Sequence, residues 1–194
     1  MTAAQKLNLL SIEDFIKNYE GMRCQFHEGE IWEAQATTPD HSYIQAAIAE
    51  VLRSFFNKIG GGGPTRPGGW WIFSEVAVRY SDKSLFSHDL AGWKRSHFPE
   101  RPQRYPIKDR PDWVCEILSS NSSNDRIKKK AVLHEHEVPF YWIVDSVEKT
   151  IDVLKWNSEG YTSVLDVTEG FVGKIPPFDA VILKANVLFG EEDD

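Results

Sequence analysis

Cysteine is scarce in this chain: its 194 residues hold two, Cys24 and Cys115. That excludes a disulfide framework and a four-cysteine zinc site. Cys115 falls inside an apolar run, where a reduced thiol packs as a small hydrophobe, so a reduced, cytoplasmic protein is expected. Long apolar stretches are missing too, and none reaches the length of a membrane span. The first ten residues carry one lysine and no apolar signal core. No Gly-x-Ser-x-Gly nucleophile turn occurs. The glycine-rich run from Gly60 to Gly69 has no Gly-Lys-Ser/Thr after it and leads into a strand-like segment rather than a helix, so it reads as a connection and not a phosphate loop. Net positive charge is also lacking. The chain stands at -7, which argues against strong non-specific DNA binding.

The charge is uneven. Residues 1–144 hold 18 acids and 18 bases, whereas residues 145–194 hold 11 acids and 4 bases, which accounts for the whole of the -7. Between Lys94 and Arg110 six bases face two acids, Glu100 and Asp109. A basic loop of that kind is compatible with phosphate binding at one place, though charge alone reads as a solvated loop.

What is present is a patterned α/β chain. Ser11-Ile-Glu-Asp14 is a helix start. Arg23–His27 and Glu30–Ala34 read as a hairpin about Glu28-Gly29. Pro39-Asp40 opens a long helix whose apolar stripe (Ile44, Ile48, Val51, Leu52, Phe55) has helical spacing. Trp70–Tyr80 is a strand bent near Ser74-Glu75, and Leu85–Trp93 is a second. Asp112–Leu118, a helix over about Ser123–Glu137 and the strand Phe140–Val144 form a crossover of the length that a parallel connection needs. Thr150–Trp156 and Thr162–Val167 make a further hairpin. One domain over residues 1–190 is expected, with a solvated acidic tail at 191–194.

Two carboxylates stand inside otherwise apolar strands: Asp89 in Leu85–Ala91 and Glu116 in Pro-Asp-Trp-Val-Cys-Glu-Ile-Leu. A charge in such a place is costly unless it is paired, hydrogen-bonded or metal-bound. On neighbouring strands the two could hold Mg²⁺ or Mn²⁺ with waters and a phosphate; otherwise both are strand-end groups facing water. Asp112 shares the Glu116 face but lies roughly 13 Å away, so it is expected to hydrogen-bond at the strand entrance. Alternation places His88 on the strand face opposite Asp89, and Cys115 away from Glu116. His41 begins the long helix as a cap or a site edge, and no role is assigned to Glu75.

Three lysines, Lys128–Lys130, follow the Glu116 strand. As a cluster they read as a solvated face. Periodicity separates them: with Val132 and Leu133 facing the core, Lys129 at i−3 and i−4 is the lysine on the side of both. Its ammonium is expected near Glu116.

Leu85–Pro99, Pro111–Ser119 and Asp125–Asp145 together resemble the Uma2 family of bacterial restriction-endonuclease-like proteins, in the PD-(D/E)XK nuclease superfamily. The resemblance runs from about Phe15 to the Pro176–Leu183 end. It implies a mixed sheet core flanked by helices, with an N-terminal helix and hairpin added. It further implies metal-dependent hydrolysis of DNA phosphodiester bonds. Asp89 and Glu116 match the acidic metal ligands, with Mg²⁺ or Mn²⁺ as cofactor, and Lys129 matches a catalytic lysine that the superfamily carries two positions after the glutamate, where this chain has Leu118. His88 stands where the family commonly has proline, and Lys128 where an acid is common. The implied partner is DNA, with no membrane; a duplex-cutting member would act as a homodimer, each protomer offering one site for two strands. The alternative is a catalytically silent module of the same fold that binds nucleic acid or a protein partner.

Overall fold

The computed structural model describes residues 10–22, 24–33, 37–57, 65–118 and 123–191. Helix α1 (Ile12–Tyr19) starts at Ser11, whose hydroxyl accepts the Asp14 N–H at 3.1 Å, and buries Ile12 and Phe15. Strands β1 (Cys24–His27) and β2 (Glu30–Glu33) are joined by Glu28-Gly29, both at positive φ (51° and 88°). That two-residue turn matches the twist of the strands it connects. Helix α2 (Pro39–Phe56) is capped by Thr38 and has its proline in the first turn, where no N–H is missed. Ile44, Ile48, Leu52 and Phe56 form its buried stripe.

Strands β3 (Trp70–Arg79), β4 (Ser84–Lys94), β5 (Trp113–Leu118), β6 (Phe140–Asp145), β7 (Thr150–Asn157) and β8 (Gly160–Thr168) follow, with α3 (Ser123–Glu135) between β5 and β6. The expected crossover is present: β5 pairs with β6 in parallel, Trp113 opposite Phe140 through Leu118 opposite Asp145. The sheet runs β2-β1-β4-β5-β6-β7-β8, with β3 also on β4. The aliphatic run near Ala180 leads into β10 (Leu183–Lys184) and the short helix α4 (Ala185–Leu188); β10 pairs with β9 (Val172–Gly173). The glycine run at 60–64 and the tail at 192–194 lie outside the described residues. Among the described residues no helix is long and apolar enough to cross a membrane.

The α2 side of the sheet holds the largest core, with Trp70, Leu90, Trp113, Cys115, Ile117 and Trp142. The α3 side holds Val76, Val78, Ala91, Trp93, Val114 and Leu133. A third cluster joins α1 to the hairpin through Phe15, Phe26 and Leu85.

Strand β4 sets the position of the site. One of its edges pairs with β3 from Leu85 to Lys94. A strand has two edges, so its other partners share the second: β1 at Ser84 and Leu85, and β5 at Leu90 to Gly92. Among the described residues no strand pairs with that edge between Phe86 and Asp89, and the sheet opens there.

At the same level the alternation slips. Trp71 and Phe73 pack on the α3-side core, and so do Val76 and Val78. The odd-to-even change falls at Glu75, whose φ is 50°. Strand β4 follows its partner. Ala91 sits opposite Phe73, and His88 opposite Val76, so both face α3. His88 therefore lies on the face opposite Asp89, as alternation expects, and the kink puts it on the face of Glu116 while Asp89 turns toward His41 of α2.

Candidate active site

Glu116 stands two residues after Val114 on β5 and so points to the α3 side. Both its oxygens are engaged. Lys129 Nζ donates to Oε2 at 2.8 Å, and His88 Nδ1 lies 2.5 Å from Oε1. Lys129 is only 5 % exposed, and its ammonium also donates to the Ser87 carbonyl at 3.1 Å. That carbonyl belongs to the unpaired stretch of β4, so the lysine takes a place the sheet ladder leaves open. Lys128 is exposed, with its ammonium 4.7 Å from the centre of the Trp32 ring. Lys130 is half-buried. Of the three lysines, the helix turns Lys129 inward.

Asp89 sits at the kink. Its Oδ2 accepts the Ile117 N–H at 2.7 Å, and its Oδ1 lies 3.2 Å from His41 Nε2. The carboxylate thus takes up a strand N–H immediately after Glu116, at the point where β4 and β5 part. Gln45, one helical turn beyond His41 on α2, donates through Nε2 to the Asp89 carbonyl at 2.8 Å and to Glu75 Oε1 at 2.9 Å. It ties the kinked residue of β3 to the residue opposite it on β4. The structure therefore joins Glu116 directly to Lys129 and places Asp89 on the backbone of the Glu116 strand, facing α2.

Asp112 hydrogen-bonds at the strand entrance, as its distance from Glu116 suggests: it accepts from Lys94 N at 2.7 Å and pairs with His97 at 2.8 Å. Cys115 faces the α2-side core, away from Glu116, and burial pushes its thiol well up, which leaves it unsuited to nucleophilic work. Gln45, His88 and Tyr80 are the site residues that sequence patterns did not assign, and of the two roles open to His41 its ring takes the site edge, on Asp89.

The electrostatics follow from burial and pairing. Burial pushes the Glu116 carboxyl up, but Lys129 and His88 together outweigh it and hold the group below the ordinary glutamate range. Burial dominates at His88 and holds it below the ordinary histidine range despite Glu116. A neutral His88 supports Glu116 by donating a hydrogen bond, and the cation in the cluster is Lys129. His41 is pushed down by burial, yet Asp89, with Glu75 and Glu116 farther off, leaves it raised.

Two carboxylates are hard oxygen donors, and each oxygen keeps a second lone pair beside the donor it has. Among the described residues no three His, Cys, Asp or Glu side chains gather as a metal cluster. The donor set therefore suits an ion that retains waters and substrate oxygens, such as Mg²⁺ or Mn²⁺, and not zinc with its closed set of protein ligands.

The model of the Uma2 family, described as "Putative restriction endonuclease", matches residues 10–175. The chain belongs to the Uma2 family. A crystal structure from Anabaena variabilis ATCC 29413, described as a "putative nuclease belonging to DUF820", superposes with a TM-score of 0.74 at 20 % sequence identity, covering 93 % of this chain and 98 % of that one. This likeness shows that the Uma2 chain has the fold of that protein. No curated protein matches it.

Proposed function

We propose that this Uma2 protein is a divalent-metal-dependent endonuclease hydrolysing DNA phosphodiester bonds. The observation that carries the reading is the buried ammonium of Lys129, 2.8 Å from Glu116, at an opening of the sheet that Asp89 also borders. Asp89 and Glu116, reaching the opening of the sheet from its α2 and α3 sides, would hold Mg²⁺ or Mn²⁺ between them, and the ion would supply an activated water and neutralise phosphate charge. Lys129 holds Glu116 ionised and presents a fixed positive charge where a phosphoryl oxygen gains negative charge. His41 and the Ile117 N–H fix Asp89, and Gln45 steadies the kinked strand pair behind it. The buried pair of strands keeps these groups in place before substrate arrives, so little reorganisation is needed during reaction.

The test is cleavage of supercoiled, linear duplex and single-stranded DNA with Mg²⁺, Mn²⁺ or EDTA. Metal-dependent cutting by the wild type, lost in Asp89→Ala, Glu116→Gln and Lys129→Ala but kept in Lys128→Ala and Lys130→Ala, is the expected result. Equal activity in all three lysine variants would overturn the assignment. A second reading, a silent nuclease-fold module, draws on the fact that all four carboxylate oxygens already have protein donors. It requires a wild type that gains no thermal stability from Mg²⁺, whereas a bound ion at 100 times its Kd adds about 2.7 kcal/mol.

A further inference from the structure

We propose that His88 and Tyr80 are positioning residues that lock the Glu116 carboxylate through Oε1, the oxygen that Lys129 does not hold. The proposal rests on the reading of Glu116 as a metal ligand for its purpose, but not for its geometry. Tyr80 Oη lies 2.7 Å from His88 Nε2, and His88 Nδ1 lies 2.5 Å from Glu116 Oε1. The partners fix the direction of both bonds. Glu116, ionised, can only accept, so Nδ1 carries the proton and donates. Nε2 is then a lone pair, and the Tyr80 hydroxyl donates to it. Burial raises the Tyr80 phenol well above its ordinary range, so it keeps its proton. His88 is 1 % exposed, which leaves solvent no part in the choice of tautomer.

A glutamate side chain has three rotatable torsions, and one ion pair leaves it free to swing about the shared contact. Here each oxygen has its own donor: an ammonium from α3 on Oε2 and an imidazole N–H from β4 on Oε1. The second oxygen lone pairs are left aimed by these contacts. Partners of this kind, standing behind a ligand, typically change metal affinity by about 10–100-fold when removed. This arrangement depends on the kink at Glu75, because regular alternation along β4 from Ala91 would turn His88 away from Glu116.

The first measurement is the ¹⁵N spectrum of the imidazole side chains in metal-free protein at neutral pH, with His88 assigned by its absence in His88→Asn. The expected wild-type pattern is a protonated Nδ1 and an unprotonated Nε2. Tyr80→Phe keeps the ring and removes the donor; Nδ1 should stay protonated against Glu116, while the Nε2 resonance moves to that of a lone pair that has lost its hydrogen bond. The second is Mn²⁺ binding followed by electron paramagnetic resonance. His88→Leu should weaken binding by about 10-fold or more. His88→Asn, whose amide nitrogen falls where Nδ1 lies, should restore most of the affinity. A wild-type Nε2–H tautomer, an unchanged spectrum in Tyr80→Phe, or His88→Asn binding as poorly as a folded His88→Leu would overturn the proposal. Should the wild type bind no Mn²⁺, the metal-ligand reading of Glu116 fails, while the tautomer measurement still decides whether Tyr80 and His88 hold the carboxylate.

Discussion

Replacing Lys129 with methionine keeps the length of the side chain and removes its charge. In the folded protein the Lys129 and Glu116 side chains are 7 % and 14 % exposed, so solvent offers the abandoned carboxylate little. Breaking one partner out of a buried pair costs about 3–5 kcal/mol. Glu116 keeps the His88 hydrogen bond and can take up a proton, so the lower end of that range, about 3 kcal/mol, is expected. For a chain of this size that corresponds to a fall in Tm of roughly 6–12 °C. Urea unfolding of wild type, Lys129→Met, Glu116→Gln and the double variant forms a cycle that isolates the pair. The double variant should recover most of the loss, because exchanging both charges for neutral groups is often close to neutral. Lys128→Met and Lys130→Met should stay within about 0.5 kcal/mol of wild type. A loss in Lys129→Met no larger than theirs, or a coupling energy of zero, would mean that the ammonium is not on Glu116 in solution, and the argument from helix periodicity would fall with it.

Asp89→Ala leaves the Ile117 N–H without its acceptor and His41 without its counter-charge; a loss of about 1–3 kcal/mol in urea unfolding is expected, together with loss of any stabilisation by Mg²⁺. In a Cys24→Ser background the buried Cys115 thiol should fail to react with a disulfide reagent at pH 8 while the protein is folded and react fully in denaturant, because burial holds its pKa well up. Gly92→Ala would place a methyl group 3.2 Å from the rings of both Trp113 and Trp70, and thermal melts should show it destabilised by about 1–3 kcal/mol through overpacking.

Much of this was legible in the sequence because local patterns and tertiary structure agree. The β5–α3–β6 crossover follows from its spacing, and Lys129 stands out from its neighbours because Val132 and Leu133 fix which side of α3 faces the sheet. Asp112 hydrogen-bonds where its distance from Glu116 suggested. That His88 and Asp89 face opposite ways was legible, but which of them meets Glu116 was not: alternation is a rule for regular strands, and nothing in Ser74-Glu75-Val76 announces that a non-glycine residue adopts φ 50° there. His41 and Gln45 could not be matched to Asp89 and Glu75 from spacing, since those contacts join residues 48 and 30 positions apart. The bend in β3 was visible as a break in pattern, but its effect on the neighbouring strand was not.

The opening along β4 has a consequence for how the molecule comes apart. The β1–β2 hairpin pairs with the rest of the sheet only at Phe26–Leu85 and His27–Ser84 among the described residues, and with α1 it forms a small cluster that also takes in Ala77 of β3 and Leu85 of β4. A unit attached through so short a ladder can detach as a separate foldon, at a free energy below that of global unfolding. Amide exchange should then be faster in β1 and β2 than in β4 to β7. Detachment would free Ser84 and Leu85 on the edge of β4 that already lacks a strand partner from Phe86 to Asp89, and so lengthen the opening beside Lys129.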